Sequence, residues 1–401
     1  MSKTDSNEEP IQVPFFRPDI SEDAVAEVAE CIRSGWLTTG PRVKQFEKNF
    51  AASVLGEHAV AVNSCTAALH LAVEALGLQA GQGVLVPTMT FAATAEIVLY
   101  RGAIPILVDC DPETFNMDLH DAAAKLKAHA DIAVVGIIPV HVAGQMMDLD
   151  QIDAFAEEHG LWVVEDAAHA FPSAFRSGPD APWRRCGENT SRVSCYSFYA
   201  NKTITTGEGG MAVTADESLA DRMRQMSLHG LSHDAWKRYQ GSSAWDYRIV
   251  APGYKYNMTD VAASIGLHQL ARAEELRLER EEIADFYDEA LRDLPQLDLP
   301  VRLQNRIHSW HLYPLRLRLD RLTIDRNEFM EQLRQQGVGC SVHWRPLHLH
   351  TYYEENWKPT DCPVATEVWQ RLVTLPVFPG MRDEERTHVV STVTNLCQAS
   401  T

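Results

Sequence analysis

The sequence predicts an α/β protein: a three-layer αβα large domain with a mostly parallel sheet, followed by a smaller α+β C-terminal domain. Strand and helix patterns alternate from about residue 59 to residue 226, as in consecutive βαβ units. The apolar runs 104–109 and 133–140 predict buried strands, and the amphipathic stretch 149–158 predicts a helix between strands. A length of 401 residues favours two domains.

The pattern changes in the C-terminal third. Residues 264–294 are helical in period and rich in charge, which predicts one connecting helix with a face in water. Alternation in residues 311–319 predicts a half-exposed strand of the small domain. We therefore divide the chain into a flexible N-terminus (1–12), a large domain (13–265) whose first segment can pack on the small domain, and a connecting helix with the small domain (266–401).

The composition limits the classes of binding partner that we expect for this protein. A net charge of −19, from 55 acidic and 36 basic residues, argues against nucleic acid, which requires a basic face. The sequence lacks a signal peptide and an apolar run of membrane-spanning length, so we expect a cytoplasmic protein with reduced thiols and no membrane partner. The eight cysteines form no CxxC pair and no Cys/His metal spacing, so we expect no metal site.

Lys202 lies between a short aromatic, β-prone run and the glycine-rich turn Gly207-Glu-Gly-Gly210. A lysine amine forms a Schiff base with an aldehyde, and pyridoxal phosphate (PLP) is the aldehyde cofactor that accepts electrons from a substrate carbon. Most lysines near glycines are surface charges, so the assignment depends on partner residues elsewhere in the chain.

Asp166 is the first such partner. The apolar run 161–164 predicts a strand buried on both faces, and Asp166 follows at its carboxyl end, where ligands bind in open α/β sheets. An aspartate there can keep a pyridine nitrogen protonated. The alternative is a helix N-cap. His169, three residues later, is either a neighbour of the cofactor ring or a hydrogen-bonded core histidine.

The second partner is the small polar turn Ser64-Cys65-Thr66, which separates an apolar strand from a helical pattern. The N–H groups and the positive dipole end of a helix N-terminus bind phosphate, although an ordinary capped helix has the same signature. Phe91 follows the strand 84–87 and is able to stack on a pyridine ring, with core packing as the alternative.

Together these motifs resemble the PLP-dependent sugar aminotransferases of the DegT family, which have the fold type I architecture. The resemblance rests on the order of phosphate turn, aromatic residue, strand-end aspartate and Ser-x-x-x-x-Lys with Gly-Glu-Gly-Gly, and it covers nearly the whole chain. Further segments that look like this family are 14–18, 34–41, 252–263, 308–313 and 342–346.

The resemblance implies a role for each matching residue. Lys202 would hold PLP as an internal aldimine and move the proton, Asp166 would pair with the pyridinium, and Phe91 and His169 would flank the ring. The other implied cofactor contacts are the backbone of Cys65 and Thr66, the Ser197 hydroxyl and, from the second subunit of a homodimer, Asn257. The implied substrate-binding residues are Trp36, Thr38, His229, Lys255, Tyr256, His311 and His343. Cys65 departs from the glycine that many members carry.

The same resemblance implies a ping-pong transamination. L-Glutamate would give its amino group to the cofactor and leave as 2-oxoglutarate, and the amino group would then pass to the keto carbon, C4 by preference, of a UDP- or dTDP-linked keto-sugar. Two other enzyme classes stay open: a PLP-dependent sugar dehydratase and an enzyme that aromatises an amino-cyclohexenone. A non-catalytic regulatory protein on the same fold is the remaining alternative.

Overall fold

The computed structural model describes residues 11–188, 193–231, 248–356 and 361–400. Its helices are α1 (Glu22–Ser34), α2 (Pro41–Ser53), α3 (Cys65–Ala75), α4 (Ala93–Tyr100), α5 (Leu119–Ala128), α6 (Leu149–His159), α7 (Glu217–Ser227), α8 (Asp260–Ala271), α9 (Ala273–Leu291), α10 (Arg326–Gln335), α11 (Thr351–Asn356), α12 (Pro363–Arg371) and α13 (Asp383–Ala399). Its strands are β1 (His58–Val62), β2 (Gly83–Pro87), β3 (Ile104–Val108), β4 (Val134–Ile137), β5 (Trp162–Asp166), β6 (Ala174–Phe175), β7 (Val193–Ser197), β8 (Gly210–Thr214), β9 (Leu297–Asp298), β10 (Arg306–Ile307), β11 (Tyr313–Leu317) and β12 (Leu372–Leu375).

Seven strands form the main sheet in the order β1-β8-β7-β5-β4-β2-β3. The neighbours from β7 to β3 pair in parallel, whereas β8 is antiparallel to both β1 and β7. The mostly parallel sheet that the sequence predicts is therefore confirmed. The predicted strands at 104–109 and 133–140 correspond to β3 and β4, and the predicted helix at 149–158 corresponds to α6.

Helices cover both faces of this sheet, which explains the apolar runs without alternation. In β2, Leu85 packs in one hydrophobic cluster with residues of α2 and α6. Its neighbours Val84 and Val86 pack in a second cluster with residues of α3, α4 and α7. Successive side chains of a strand point to opposite faces, so each face of the sheet has a core of its own.

One outer edge of the main sheet is β1, and side chains satisfy its outward backbone groups. The N–H of Ala61 donates to Oε1 of Glu47 at 2.8 Å. The carbonyl of Ala59 accepts from Nη2 of Arg224 at 3.0 Å. Glu47 comes from α2 and Arg224 from α7, so the two helices that flank the edge also hydrogen-bond to it.

The small domain contains a three-stranded sheet in the order β12-β11-β9. The half-exposed strand predicted for residues 311–319 is wrong in its exposure, because Tyr313–Leu317 is buried except for a partly exposed Arg316. The reason is its place at the centre of the sheet, where β12 and β9 cover both edges and a hydrophobic cluster covers Tyr313, Leu315 and Leu317.

The single helix predicted for residues 264–294 is also wrong. The chain forms two helices, α8 and α9, that meet at Arg272. Two of the charges assigned to a wet face, Arg277 and Arg280, are buried. Arg277 is paired with Glu274 at 2.7 Å and Glu281 at 2.9 Å, so its charge is compensated where it packs.

The first described residues contact the small domain. The N–H of Val13 donates to the carbonyl of Gly337, and its carbonyl accepts from the N–H of Gly339, both at 2.8 Å. Gly337 has φ +80, a left-handed conformation that suits glycine. Most of the predicted flexible segment, residues 1–10, lies outside the described residues. No helix within the described ranges is both long and apolar enough to cross a membrane.

Candidate active site

A cavity of about 360 Å³ lies where several parallel strands end. Asp166 is the last residue of β5 and Ser197 the last residue of β7, and the turn after β1 leads into α3 at the same edge of the sheet. This is the edge at which open α/β sheets bind ligands. The cavity is lined by Ser64, Cys65, Thr66, Leu69, Thr90, Phe91, Ala93, Val140, Asp166, Ala168, His169, Ser197, Tyr199, Asn201, Lys202, Glu208, Gly209, His311, His343 and Trp344.

Lys202 projects into this cavity, and its Nζ lies 3.3 Å from Nε2 of His311. Burial lowers the pKa of Lys202 from 10.5 to about 8, the negative charges available to Cys65 and Asp166 oppose that shift, and Arg280 adds to it. A burial that removes water disfavours the ammonium form. The amine therefore gives up its proton much more readily than a surface lysine, as a Schiff-base lysine must.

The carboxylate of Asp166 is held by a chain of hydrogen bonds. Its Oδ2 accepts from Oγ1 of Thr94 at 2.7 Å, and its Oδ1 accepts from the N–H of Ala168 at 3.1 Å. Oγ1 of Thr90 lies 2.8 Å from Oγ1 of Thr94 and donates to it. Burial raises the pKa of Asp166, and these donors, Lys202 and His141 lower it. The helix-cap alternative is wrong, because no helix of the described residues begins directly after Asp166.

The turn after β1 combines a helix cap with an open helix end. Oγ of Ser64 accepts from the N–H of Ala67 at 3.1 Å and caps α3. Cys65 is the first residue of that helix and lines the cavity. Across from it, a Cβ at Gly210 would lie 2.4 Å from the carbonyl carbon of Ser64 and 2.6 Å from the nitrogen of Cys65. Only glycine lets β8 approach so closely, and the resulting cradle of N–H groups fits a phosphate.

Cys65 is the one cysteine of the eight that is not buried. Burial of its sulfur, with nearby Asp166, raises the pKa of the thiol well above 9, so the group is neutral. A neutral thiol does not repel a phosphate bound at the helix end. Ser197 supplies a hydroxyl to the same cavity, and its Oγ accepts from the N–H of Tyr199 at 3.3 Å.

Aromatic rings form other parts of the wall. The ring of His169 stacks on Trp344 at a centroid distance of 5.0 Å, and its Nδ1 accepts from the N–H of Ala143 at 3.2 Å. Burial lowers the pKa of His169 well below 6.5, so the ring is neutral. Phe91 is 63% exposed, which rules out the core-packing alternative and leaves its ring at the cavity wall.

His311 and His343, which the sequence assigns to the substrate, both line the cavity. Nδ1 of His343 lies 3.0 Å from Oγ1 of Thr374, and burial lowers the pKa of His343 to about 3. Burial also lowers the pKa of His311 well below 6.5. Both rings are neutral, and among the described residues Lys202 is the only lysine or arginine in the cavity wall.

The other predicted site residues are absent from this wall: Trp36, Thr38, His229, Lys255, Tyr256 and Asn257. Asn257 lines a second cavity of about 800 Å³ beside β1. Its Nδ2 donates to Oγ1 of Thr39 at 2.8 Å, and its Oδ1 accepts from Nζ of Lys255. His229 and Lys255 are exposed. One chain therefore holds two separate groups of the predicted residues.

The sequence analysis missed several residues of the cavity. Thr90 and Thr94 reach Asp166 as described, and Trp344 stacks on His169. The two threonines follow closely after the end of β2, the position from which polar side chains reach a ligand site in open α/β sheets, and this position could have indicated them. Trp344 adjoins His343, and no pattern in the sequence distinguishes it from a core tryptophan.

A buried group behind β5 combines three residue types that bind metals: His141, Glu165 and Cys186. Nδ1 of His141 accepts from the N–H of Met147 at 3.0 Å, so Nε2 carries the ring proton and donates to Oε1 of Glu165 at 3.1 Å. A metal ligand needs that nitrogen without its proton. The contacts describe an internal hydrogen-bond network.

Comparison with known proteins gives consistent matches. Residues 18–394 match the model of the DegT/DnrJ/EryC1/StrS aminotransferase family. The chain is 40% identical over 391 residues to the spore coat polysaccharide biosynthesis protein SpsC of Bacillus subtilis, covering 97% of this chain and 98% of that protein.

Solved structures agree. Spr1654 of Streptococcus pneumoniae, a candidate sugar aminotransferase, matches in its PLP form with TM-score 0.87 and 30% identity, over 97% of this chain and 99% of that one. Its PMP form matches with TM-score 0.88 and 31% identity, over 96% and 99%. The sugar aminotransferase CalS13 of Micromonospora echinospora matches with TM-score 0.83 and 32% identity, over 96% and 99%.

Proposed function

The chain belongs to the DegT/DnrJ/EryC1/StrS aminotransferase family, and on that premise we propose that it transfers the amino group of L-glutamate to C4 of a UDP- or dTDP-linked keto-sugar. It has the fold of the fold type I aminotransferases, it is a transaminase, and its cofactor is PLP. The observation that carries the proposal is Lys202, an amine of lowered pKa in the cavity formed by the end of β5 and the start of α3.

PLP, when bound, carries the amino group and takes up the electron pair of the substrate carbon. Different residues of the chain would bind the phosphate, the pyridine nitrogen and the faces of the ring. The N–H groups at the start of α3, with the Ser197 hydroxyl, bind the phosphate. Asp166 supplies the negative charge for the pyridine nitrogen, and the Thr94 hydroxyl fixes the orientation of its carboxylate. Phe91 and His169 would flank the ring and exclude water from it.

Lys202 moves the proton. Because the pKa of its amine is about 8, the group both accepts and returns a proton near neutral pH, which is the condition for efficient general acid–base catalysis. The same amine serves both half-reactions, first with the amino donor and then with the keto-sugar. The scheme is ping-pong because 2-oxoglutarate leaves before the keto-sugar binds, and the cofactor would hold the amino group in the interval.

Charge supports a homodimer with shared active sites. Glutamate and a sugar nucleotide are anions, yet Lys202 is the only lysine or arginine of the described cavity wall. Lys255 and Asn257 stand outside that wall, at the surface and at the second cavity. In the proposed dimer each subunit presents this pair, with Trp36, Thr38, His229 and Tyr256, to the cavity of its partner. We place this dimer in the cytoplasm, where sugar nucleotides occur.

The test uses the visible absorbance of the PLP-loaded protein. L-Glutamate should bleach the yellow colour and release 2-oxoglutarate, and a UDP- or dTDP-4-keto-sugar should then restore the colour and yield an amino-sugar detectable by mass spectrometry. A yellow protein that ignores glutamate would contradict the donor assignment. A protein bleached by glutamate that every 4-keto-sugar nucleotide leaves bleached would contradict the acceptor assignment.

A further inference from the structure

Lys202 has one side-chain hydrogen-bond partner within the described ranges, and that partner is His311. Nε2 of His311 lies 3.3 Å from Nζ of Lys202. Asp166 influences the amine through its charge without such a contact. The imidazole is therefore the group nearest to hold the amine in place when the amine is not bonded to anything else.

Contacts from Arg280 and His169 fix the position of His311. Arg280, 3% exposed on α9, donates through Nη1 to the carbonyls of Val377 at 2.6 Å and Trp310 at 3.3 Å. The ring of His311 packs against the ring of His169 at a centroid distance of 4.2 Å. These contacts fix the backbone next to His311 and support one side of its ring.

His311 lines the cavity, and its Nε2 lies next to the amine of Lys202. His343, on the same cavity wall, is partly exposed and bonds to Thr374 instead of Lys202. Two histidines that the sequence assigns alike thus differ in the structure. Both line the cavity, but His343 bonds to Thr374, whereas His311 lies against Lys202 and His169.

The charges around the pair favour one hydrogen-bond direction. Burial, Lys202, His169, Arg280 and His343 all lower the pKa of His311, so its ring is neutral. A neutral ring without a proton on Nε2 accepts a hydrogen bond from an ammonium group. Nδ1 of His311 has no partner among the described residues and carries the ring proton in this tautomer.

We propose that His311 is a positioning residue for Lys202: its Nε2 accepts a hydrogen bond from the protonated Lys202 amine and keeps that amine at the reacting carbon between the two half-reactions. This inference rests on the proposed function. No bond is made or broken by the imidazole, and the proton that Lys202 moves stays on the amine until it passes to a reacting carbon. The role replaces the substrate contact that the sequence assigns to His311.

The first test measures the pKa of Lys202 in full-length protein freed of cofactor, from the pH dependence of its labelling by acetic anhydride read out by mass spectrometry. His311→Leu and His311→Asn lack a polar atom at the Nε2 position, and each should lower that pKa by about one to two pH units, the effect expected of a lost hydrogen bond to a charged group. His311→Gln reaches the same position and should restore it. His343→Leu is the matched control and should leave it unchanged.

The second test is kinetic. In the PLP-loaded enzyme, His311→Leu should lower kcat while KM for the sugar nucleotide changes less than about twofold, because a positioning group acts on the reacting amine and not on substrate binding. A raised KM with unchanged kcat would overturn the proposal in favour of a substrate contact. Thermal unfolding of each variant shows whether it folds, and His311→Asn serves if His311→Leu does not.

Two results of the labelling experiment overturn the proposal. One is a Lys202 pKa within about 0.3 pH units of wild type in both the Leu and Asn variants. The other is an equal shift in all three variants, since the Gln variant would then fail to rescue. If wild-type protein never binds PLP, the proposed function fails, and the labelling of cofactor-free protein still decides the Lys202–His311 contact.

Discussion

At the scale of single residues, the cavity shows how burial prepares a lysine for chemistry. An ammonium group in a site with little water costs free energy, and the lowered pKa of Lys202 measures that cost. In the proposed function this cost is removed when PLP binds, because the cofactor would then bond to the amine. Lys202 therefore weakens the cofactor-free fold, and this cost can be measured separately from activity.

We predict that Lys202→Met raises the thermal unfolding midpoint of cofactor-free protein at pH 7. The folded pKa of about 8 lies below the usual 10.5, so both states are protonated at pH 7 and the full penalty, about 3 kcal/mol, is present. Between pH 8 and pH 10.5 only the unfolded state keeps the proton, so the stability of wild type rises relative to the variant.

The measurement is calorimetry of both proteins at pH 7 and pH 10. The advantage of Lys202→Met should shrink as the pH rises. Lys48→Met, on an exposed position of α2, is the control for the loss of a lysine charge and should differ from wild type by less than about 0.5 kcal/mol at both values. An advantage of Lys202→Met that is equal at both pH values would contradict the burial argument.

At the scale of elements, the proposed phosphate cradle depends on the distance between β8 and the start of α3. Gly210→Ala would place a methyl carbon within 2.6 Å of three backbone atoms of Ser64 and Cys65, none of which can rotate away. We expect a loss of stability of about 1–3 kcal/mol from overpacking and weaker PLP binding because the N–H groups move apart.

PLP titration, followed by absorbance, measures this effect. Gly178→Ala is the matched control, because a Cβ at Gly178 meets nothing within 4 Å, and it should bind PLP as wild type does. If Gly210→Ala bound PLP with unchanged affinity, the close approach of β8 would not be what forms the cradle.

The secondary-structure elements also show which features the sequence predicts correctly and which it does not. Consecutive apolar runs predict β3 and β4 because parallel strands are covered on both faces. The same reasoning fails for β11, because alternation in a sequence does not reveal that β12 and β9 cover both edges of the strand while a hydrophobic core covers one of its faces. It fails for Arg280 as well. A charged residue on a helix is expected to face solvent, and the sequence does not reveal that buried carbonyls, such as that of Val377, accept hydrogen bonds from this guanidinium group.

At the scale of the whole molecule, the predicted site residues fall into those that line the main cavity and those that lie outside it. The sequence brings Lys202, Asp166, Phe91 and Cys65 to one cavity because each follows a strand that ends at the same edge. It does not indicate which residues serve the cavity of the same chain and which serve another copy. That distinction depends on assembly and leaves no periodic pattern in a single sequence.

Mixing experiments test the shared site. Lys202→Ala and Asn257→Ala should each have little activity as homodimers. After unfolding and refolding together in equal amounts, half of the dimers are mixed, and each mixed dimer contains one intact site if Asn257 acts in the partner's cavity. Activity should therefore return to about a quarter of wild type. No recovery in mixtures that demonstrably contain mixed dimers would place both residues in one subunit's site.

The contacts along β1 have a consequence for solubility. An open strand edge offers unpaired backbone groups to any extended chain, and such edges seed aggregation. Glu47 and Arg224 already satisfy the outward N–H of Ala61 and the outward carbonyl of Ala59, so an incoming peptide must first displace these two side chains. The edge of the sheet is thus occupied by two side chains that take up hydrogen bonds of a next strand, which hinders freshly made chains from joining edge to edge.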